Sequence, residues 1–73
     1  MERTVDARGL NCPLPLIRAR AALRDLPPGD VLVVLATDPE APIDLAAIAV
    51  ETGCAFEAER DGDGWRMTLR RPA

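Results

Sequence analysis

The chain predicts an α/β (α+β) two-layer sandwich of order β-α-β-α-β-β, a four-stranded mixed sheet with two helices on one face. Three observations lead there. Val31-Leu32-Val33-Val34-Leu35-Ala36 is an unbroken aliphatic run. Two stretches begun by prolines carry apolar residues at helical spacing, and two segments of period two flank Asp61-Gly62-Asp63-Gly64.

Arg3 to Ala7 is expected as a short first strand, with Thr4 and Val5 as its β-formers. From Pro13 to Leu26 the pattern is helical: Leu16, Ala19, Ala22, Leu23 and Leu26 share one stripe, while Leu14 and Ile17 project towards its outer flank. Pro27-Pro28-Gly29-Asp30 ends the helix and turns the chain. The run Val31–Ala36 lacks polar alternation, which marks a central strand paired on both edges. Strand, helix, strand in that order implies a right-handed unit with the first two strands parallel, so Cys12 lies beyond the carboxyl end of the first strand.

Asp38 to Pro42 is read as a turn into a second helix, Pro42 to Thr52. That helix offers two stripes, one of Leu45, Ile48 and Ala49 and one of Ile43, Ala46, Ala47 and Val50. The first is assigned to the core because it carries two bulky side chains. Gly53 is placed to stop the helix. Cys54 to Arg60 and Gly64 to Arg71 then form a hairpin. Phe56, Ala58, Trp65, Met67 and Leu69 are expected to face the helices; Glu57, Glu59, Arg66, Thr68 and Arg70 are expected to face water.

At 73 residues the chain reads as a single domain, 1–73, with one small core. Two cysteines do not make a disulfide scaffold. The charged start Met1-Glu2-Arg3 does not read as a leader, and the longest apolar run is far short of a membrane span. The expectation is a cytoplasmic monomer with reduced thiols and no membrane contact. A net charge of −3 argues against a general nucleic-acid binder, which needs surplus cations for phosphates. An RNA-binding sheet would stack bases on aromatic side chains, and the water-facing positions here offer none.

The chemistry concentrates in Gly9-Leu10-Asn11-Cys12-Pro13-Leu14-Pro15. Proline is tolerated in the first helical turn, so Pro13 and Pro15 set a helix start and leave Cys12 at or beside the N-cap. There a thiolate can meet free N–H groups and the positive end of the helix dipole, which can lower a cysteine pKa into a range of roughly 3.5–7.5. Gly9 permits a bend at positive φ, and Arg8 adds a permanent cation within reach. The expectation is an activated thiol at Cys12 supported by Arg8, Gly9, Pro13 and Pro15. Buried, inert cysteines are common, and on spacing alone the structural reading stands beside the reactive one.

Asp6-Ala7-Arg8-Gly9-Leu10-Asn11-Cys12-Pro13-Leu14-Pro15 resembles the signature of the TusA/SirA-like sulfur-carrier family. The likeness extends over length, element order, Pro28-Gly29 and Asp38-Pro39. It implies a carrier that holds persulfide sulfur on Cys12. The sulfur would come from a cysteine desulfurase or rhodanese-type donor and pass to a downstream acceptor protein. Members of the family serve tRNA thiolation, molybdenum-cofactor maturation, sulfur oxidation or selenium metabolism. Ile43 stands before Asp44 where some relatives carry a basic residue, and Cys54 is not part of the inherited pattern.

With no histidine in the chain there is no Cys-His dyad, and two cysteines at positions 12 and 54 make no zinc site by spacing. No cofactor or metal is expected, and a sulfurtransferase-type carrier fits better than a self-sufficient catalyst. Leu14 and Ile17, with Arg18 beyond them, are candidates for partner docking beside Cys12. The alternative is a thiol-based regulatory or ligand-binding module, sensing redox state or contacting haem through Cys12-Pro13. Cys54 shares its strand phase with Phe56 and Ala58 and is expected to be structural.

Overall fold

A computed structural model describes residues Met1–Ala73. Its elements run β1 (Glu2–Ala7), α1 (Leu14–Arg24), β2 (Val31–Ala36), α2 (Ala41–Thr52), β3 (Ala55–Asp61) and β4 (Gly64–Arg70). The strand order in the sheet is β1-β2-β4-β3. β1 runs parallel to β2, from Glu2 opposite Val31 to Ala7 opposite Ala36. β4 is antiparallel to both its neighbours, with Met67 opposite Val34 on one side and Ala58 on the other. The predicted architecture is the one observed, with boundaries moved by a residue or two.

The aliphatic run of β2 is central because it pairs on both edges, and its Leu32, Val34 and Ala36 are buried with Met67 and Leu69 of β4. The helices close this core with Ala19, Ala22 and Leu23 of α1, Leu26 just after it, and Leu45, Ile48 and Ala49 of α2. The stripe of α2 carrying two bulky side chains is the buried one; Ile43 and Val50 on the other stripe are 67% and 84% exposed. Leu16 is only partly buried, whereas Pro15 is buried in the first turn of α1.

One expectation for the hairpin is corrected. Ala58 lies opposite Met67 but is exposed: the core reaches Phe56 on the edge strand β3 and stops short of Ala58. The open face of the sheet is also not uniformly wet. Val33, flanked in register by Thr4 and Thr68, is buried there, because the middle of a central strand is shielded by its neighbours' side chains. Around it the charges behave as expected, and Arg66 meets Glu59 across the hairpin at 3.7 Å. Arg60 lies over the Trp65 ring, 4.8 Å from its centroid, at the turn end of the hairpin.

One glycine is dictated by packing rather than by φ. A Cβ on Gly64 would run into the carbonyl oxygen of Ala36, so β4 can start tight against the end of β2 only without a side chain. Leu45→Ala is expected to cost about 2–5 kcal/mol, the range for emptying a buried leucine site. Val50→Ala, on the exposed stripe of the same helix, should stay within about 0.5 kcal/mol of the parent. Urea melts of the two variants check which stripe of α2 faces the core.

Candidate functional site

Parallel pairing of β1 and β2 brings the loops that follow them side by side, beyond the carboxyl ends of both strands, where α/β folds tend to place their sites. The first loop carries Arg8 to Pro13 and the second carries Thr37 to Glu40. Side chains of the second loop hold the backbone of the first. The Gly9 N–H donates to Thr37 Oγ1 at 3.0 Å, and the Cys12 N–H donates to Asp38 Oδ2. The other oxygen of Asp38 accepts the Glu40 N–H at 2.8 Å, fixing its own loop. Gly9 has φ +80°, the positive value that its place in the sequence predicts.

Cys12 is exposed, one residue before the N-cap Pro13 of α1, and the Cys12–Pro13 peptide bond is cis. The helix start is where the two prolines put it. Its expected effect on the sulfur is weakened, and the same prolines are part of the reason. Pro13 and Pro15 have no N–H to offer, the Leu14 N–H donates to the Asn11 carbonyl at 2.9 Å, and the Ile17 N–H donates to Pro13 at 3.0 Å. Pro15 thus removes one donor of the first turn outright, and the Asn11 carbonyl takes another.

The sulfur has an acidic neighbour instead. Cys12 Sγ donates to Asp44 Oδ2 of α2 at 3.3 Å. That hydrogen bond, followed by slight desolvation and by the negative charges of Asp44, Asp38 and Glu40, pushes the thiol pKa up from its ordinary value. The expected activated thiol is therefore corrected to a thiol held protonated. Arg8 does not reach it. Its Nε and Nη2 donate to the two oxygens of Asp6 at 2.9 and 2.8 Å, and its backbone N–H donates to Asp6 Oδ1 at 3.1 Å. These bonds hold the exposed Asp6 carboxyl down to about 2. Asp6 is lowered, so the pair's contribution is complete above the ordinary carboxylate range and is lost as pH falls through about 2.

Of the remaining predicted site residues, Pro15 is buried, while Leu14 and Ile17 are 44% and 55% exposed and Arg18 is exposed beside them. Cys54 is half-buried at the end of α2; its N–H donates to the Ala49 carbonyl at 2.9 Å, and its Sγ lies 3.2 Å from Thr52 Oγ1, whose proton goes to the Ile48 carbonyl at 2.8 Å. It packs against the core. Asp38, Glu40 and Asp44 are the functional neighbours that reasoning from the Cys12 motif missed. The parallel pairing of β1 and β2 was the signal that could have found them, since it delivers whatever follows β2 to the sulfur.

No cavity borders Cys12. The largest, about 280 Å³, lies on the open face of the sheet between Glu57, Ala58, Glu59, Arg66 and Thr68. A second lies near the N-terminus, and the third is again on the sheet face. The sulfur stands at the surface, not in an enclosed pocket.

Residues 3–71 match the family model described as sulfurtransferase TusA. The chain belongs to the sulfurtransferase TusA family. It is 38% identical over 71 residues to the sulfur carrier protein TusA of Allochromatium vinosum, covering 96% of this chain and 93% of that one. To the TusA of Pseudomonas aeruginosa it is 42% identical over 64 residues, covering 88% and 81%. A crystal structure of a SirA-like protein from Desulfitobacterium hafniense superposes with a TM-score of 0.86 at 33% identity, covering 100% of both chains. Family, fold and the four-stranded sheet with two helices thus agree with the TusA/SirA-like resemblance of the sequence.

The thiol environment is open to direct measurement. The rate of Cys12 alkylation plotted against pH should have its midpoint above the free-cysteine value of about 8.5, because the protonated form is the one stabilised. Arg8→Ala should leave that midpoint where it is, since the guanidinium is spent on Asp6. Cys54→Ser is the background in which Cys12 is read alone.

Proposed function

We propose that this chain is a sulfur carrier that holds persulfide sulfur on Cys12 and relays it from a cysteine desulfurase or rhodanese-type donor to a downstream acceptor protein. The observation that carries this reading is an exposed cysteine on a braced loop, with no cavity beside it. A small-molecule enzyme encloses its substrate, whereas a carrier must offer one atom to two protein partners in turn. Membership in the TusA family and the sulfur-carrier names of the relatives support the same reading.

The transfer needs no chemistry beyond thiol–disulfide exchange. Cys12 Sγ attacks the terminal sulfur of the donor persulfide, the donor's S–S bond breaks, and the donor cysteine leaves as its thiol. The acceptor later repeats the step on Cys12. Gly9, Pro13 and Pro15 shape the loop that presents the sulfur, and the partners dock on the exposed apolar flank of Leu14 and Ile17, with Arg18 at its rim. The setting proposed is the cytoplasm, with a single copy of the chain acting as carrier; no helix is long and apolar enough to cross a membrane. tRNA thiolation is one pathway such a carrier can serve. The alternative of a thiol sensor or haem-contacting module has less behind it, because no cavity lies against Cys12 to hold a ligand.

Incubation with a cysteine desulfurase and cysteine should add the mass of one sulfur to the intact chain. Cys12→Ser should abolish the gain and Cys54→Ser should keep it; loading that survives in Cys12→Ser would end the carrier reading. Leu14→Ser and Ile17→Ser, both at exposed positions, should fold normally and slow loading by weakening donor binding. Loading of both at the parental rate would move the docking surface elsewhere.

A further inference from the structure

The hydrogen bond from Cys12 to Asp44 joins the β1–α1 loop to α2, and it depends on the proton that sulfur loading removes. The empty carrier presents a thiol, which has one S–H to donate. The loaded carrier presents a persulfide, whose terminal sulfur is more acidic than a thiol and is ionised near neutral pH. An ionised persulfide has no proton to give, and its charge is repelled by the carboxylate. Asp44 therefore acts favourably on one state of the carrier and unfavourably on the other.

We propose that Asp44 is a positioning residue that sets how readily the carrier releases its sulfur, by holding the empty Cys12 thiol and rejecting the loaded persulfide anion. The inference rests on the carrier reading above and adds a residue and an energetic role to it. The exchange is written R–S–S⁻ + HS–Cys12 ⇌ R–SH + ⁻S–S–Cys12. One S–S bond forms as one breaks, the sulfane sulfur keeps its oxidation state, and the proton of Cys12 ends on the donor thiol. Every interaction that favours HS–Cys12 alone draws this equilibrium to the left for loading and drives discharge to an acceptor.

The surroundings of the sulfur agree. Three carboxylates face it, Asp44 from α2 and Asp38 and Glu40 from the loop before α2. Asp38 is committed to the backbone N–H groups of Cys12 and Glu40, which leaves Asp44 as the carboxylate that contacts sulfur. On the other side Arg8 is turned to Asp6, with Asp61 and Asp63 of the hairpin turn as its further charged neighbours. Arg8, the cation nearest to Cys12 in the sequence, is thus engaged away from the sulfur. The carrier is built to hold sulfur loosely.

The test equilibrates the full chain, in the Cys54→Ser background, with a fixed ratio of glutathione persulfide to glutathione at pH 7.5, and reads the loaded fraction by intact mass. Asp44→Asn, which keeps the shape and removes the charge, should raise the loaded-to-empty ratio, by about tenfold for each pH unit that its alkylation midpoint falls. Alkylation of the empty variant near neutral pH should quicken by roughly threefold per unit, because gains in thiolate are partly offset by lost nucleophilicity. Asp44→Ala serves as a second variant should the amide disturb α2. Glu40→Gln removes an equal charge without touching sulfur and should move both readings less. An unchanged ratio in both Asp44 variants, or an equal effect from Glu40→Gln, would overturn the assignment. If the parent loads from glutathione persulfide but not from a desulfurase, the donor named above falls while the role of Asp44 stands. If the parent takes sulfur from neither, the carrier reading and this inference fall together.

Discussion

The backbone N–H of Cys12 is held by a carboxylate that belongs to the other half of the fold. Asp38 accepts from Cys12 with one oxygen and from Glu40 with the other, so a single side chain fixes both loops at the carboxyl end of the parallel pair. Thr37 adds a second tie to Gly9. An exposed loop carrying a cysteine and two prolines would otherwise drift with respect to α2, and the distance between Cys12 and Asp44 would mean little. The parallel register of β1 and β2 puts these groups within reach, and the paired hydrogen bonds keep them there. The sulfur's chemistry depends on that bracing.

Two electrostatic arguments competed for the sulfur, and the structure shows which prevails. A helix N-terminus favours a thiolate through free N–H donors, but here Pro15 occupies one of the relevant positions and the Asn11 carbonyl takes another donor. A carboxylate at 3.3 Å acts directly and with full charge, where a helix end offers about half a charge at a greater distance. The balance therefore lies with the thiol. An exposed cysteine kept protonated is slow to react with whatever collides with it.

Much of the fold was legible in the sequence because each element carries its own period and its own stop. The aliphatic run of β2, the prolines before α1 and α2, Gly53 and the Asp-Gly-Asp-Gly turn mark the elements locally, and the boundaries moved little. The buried face of α2 was also legible, since Leu45 and Ile48 outweigh the smaller residues of the competing stripe. What was not legible were facts that arise between elements. The pairing of Arg8 with Asp6 looks trivial once seen, yet from the sequence the arginine seemed free for the sulfur. The neighbour that decides the thiol's state, Asp44, lies thirty-two residues from Cys12 in the chain, and no local pattern points from one to the other. Ala58 departed from alternation because burial follows where the helices lie, not the phase of a strand alone.

The sheet order has a consequence for how such a chain comes into being. β4, the last of the six elements in sequence, occupies an interior place between β2 and β3, and Met67 and Leu69 on it are fully enclosed. Until β4 has been synthesised, β2 has an open edge, β3 has no partner, and the core lacks two of its large side chains. A nascent chain growing from its N-terminus can form the first parallel pair and its helix, but it cannot seal the hydrophobic interior. Folding into the finished sandwich must wait until β4 has been made.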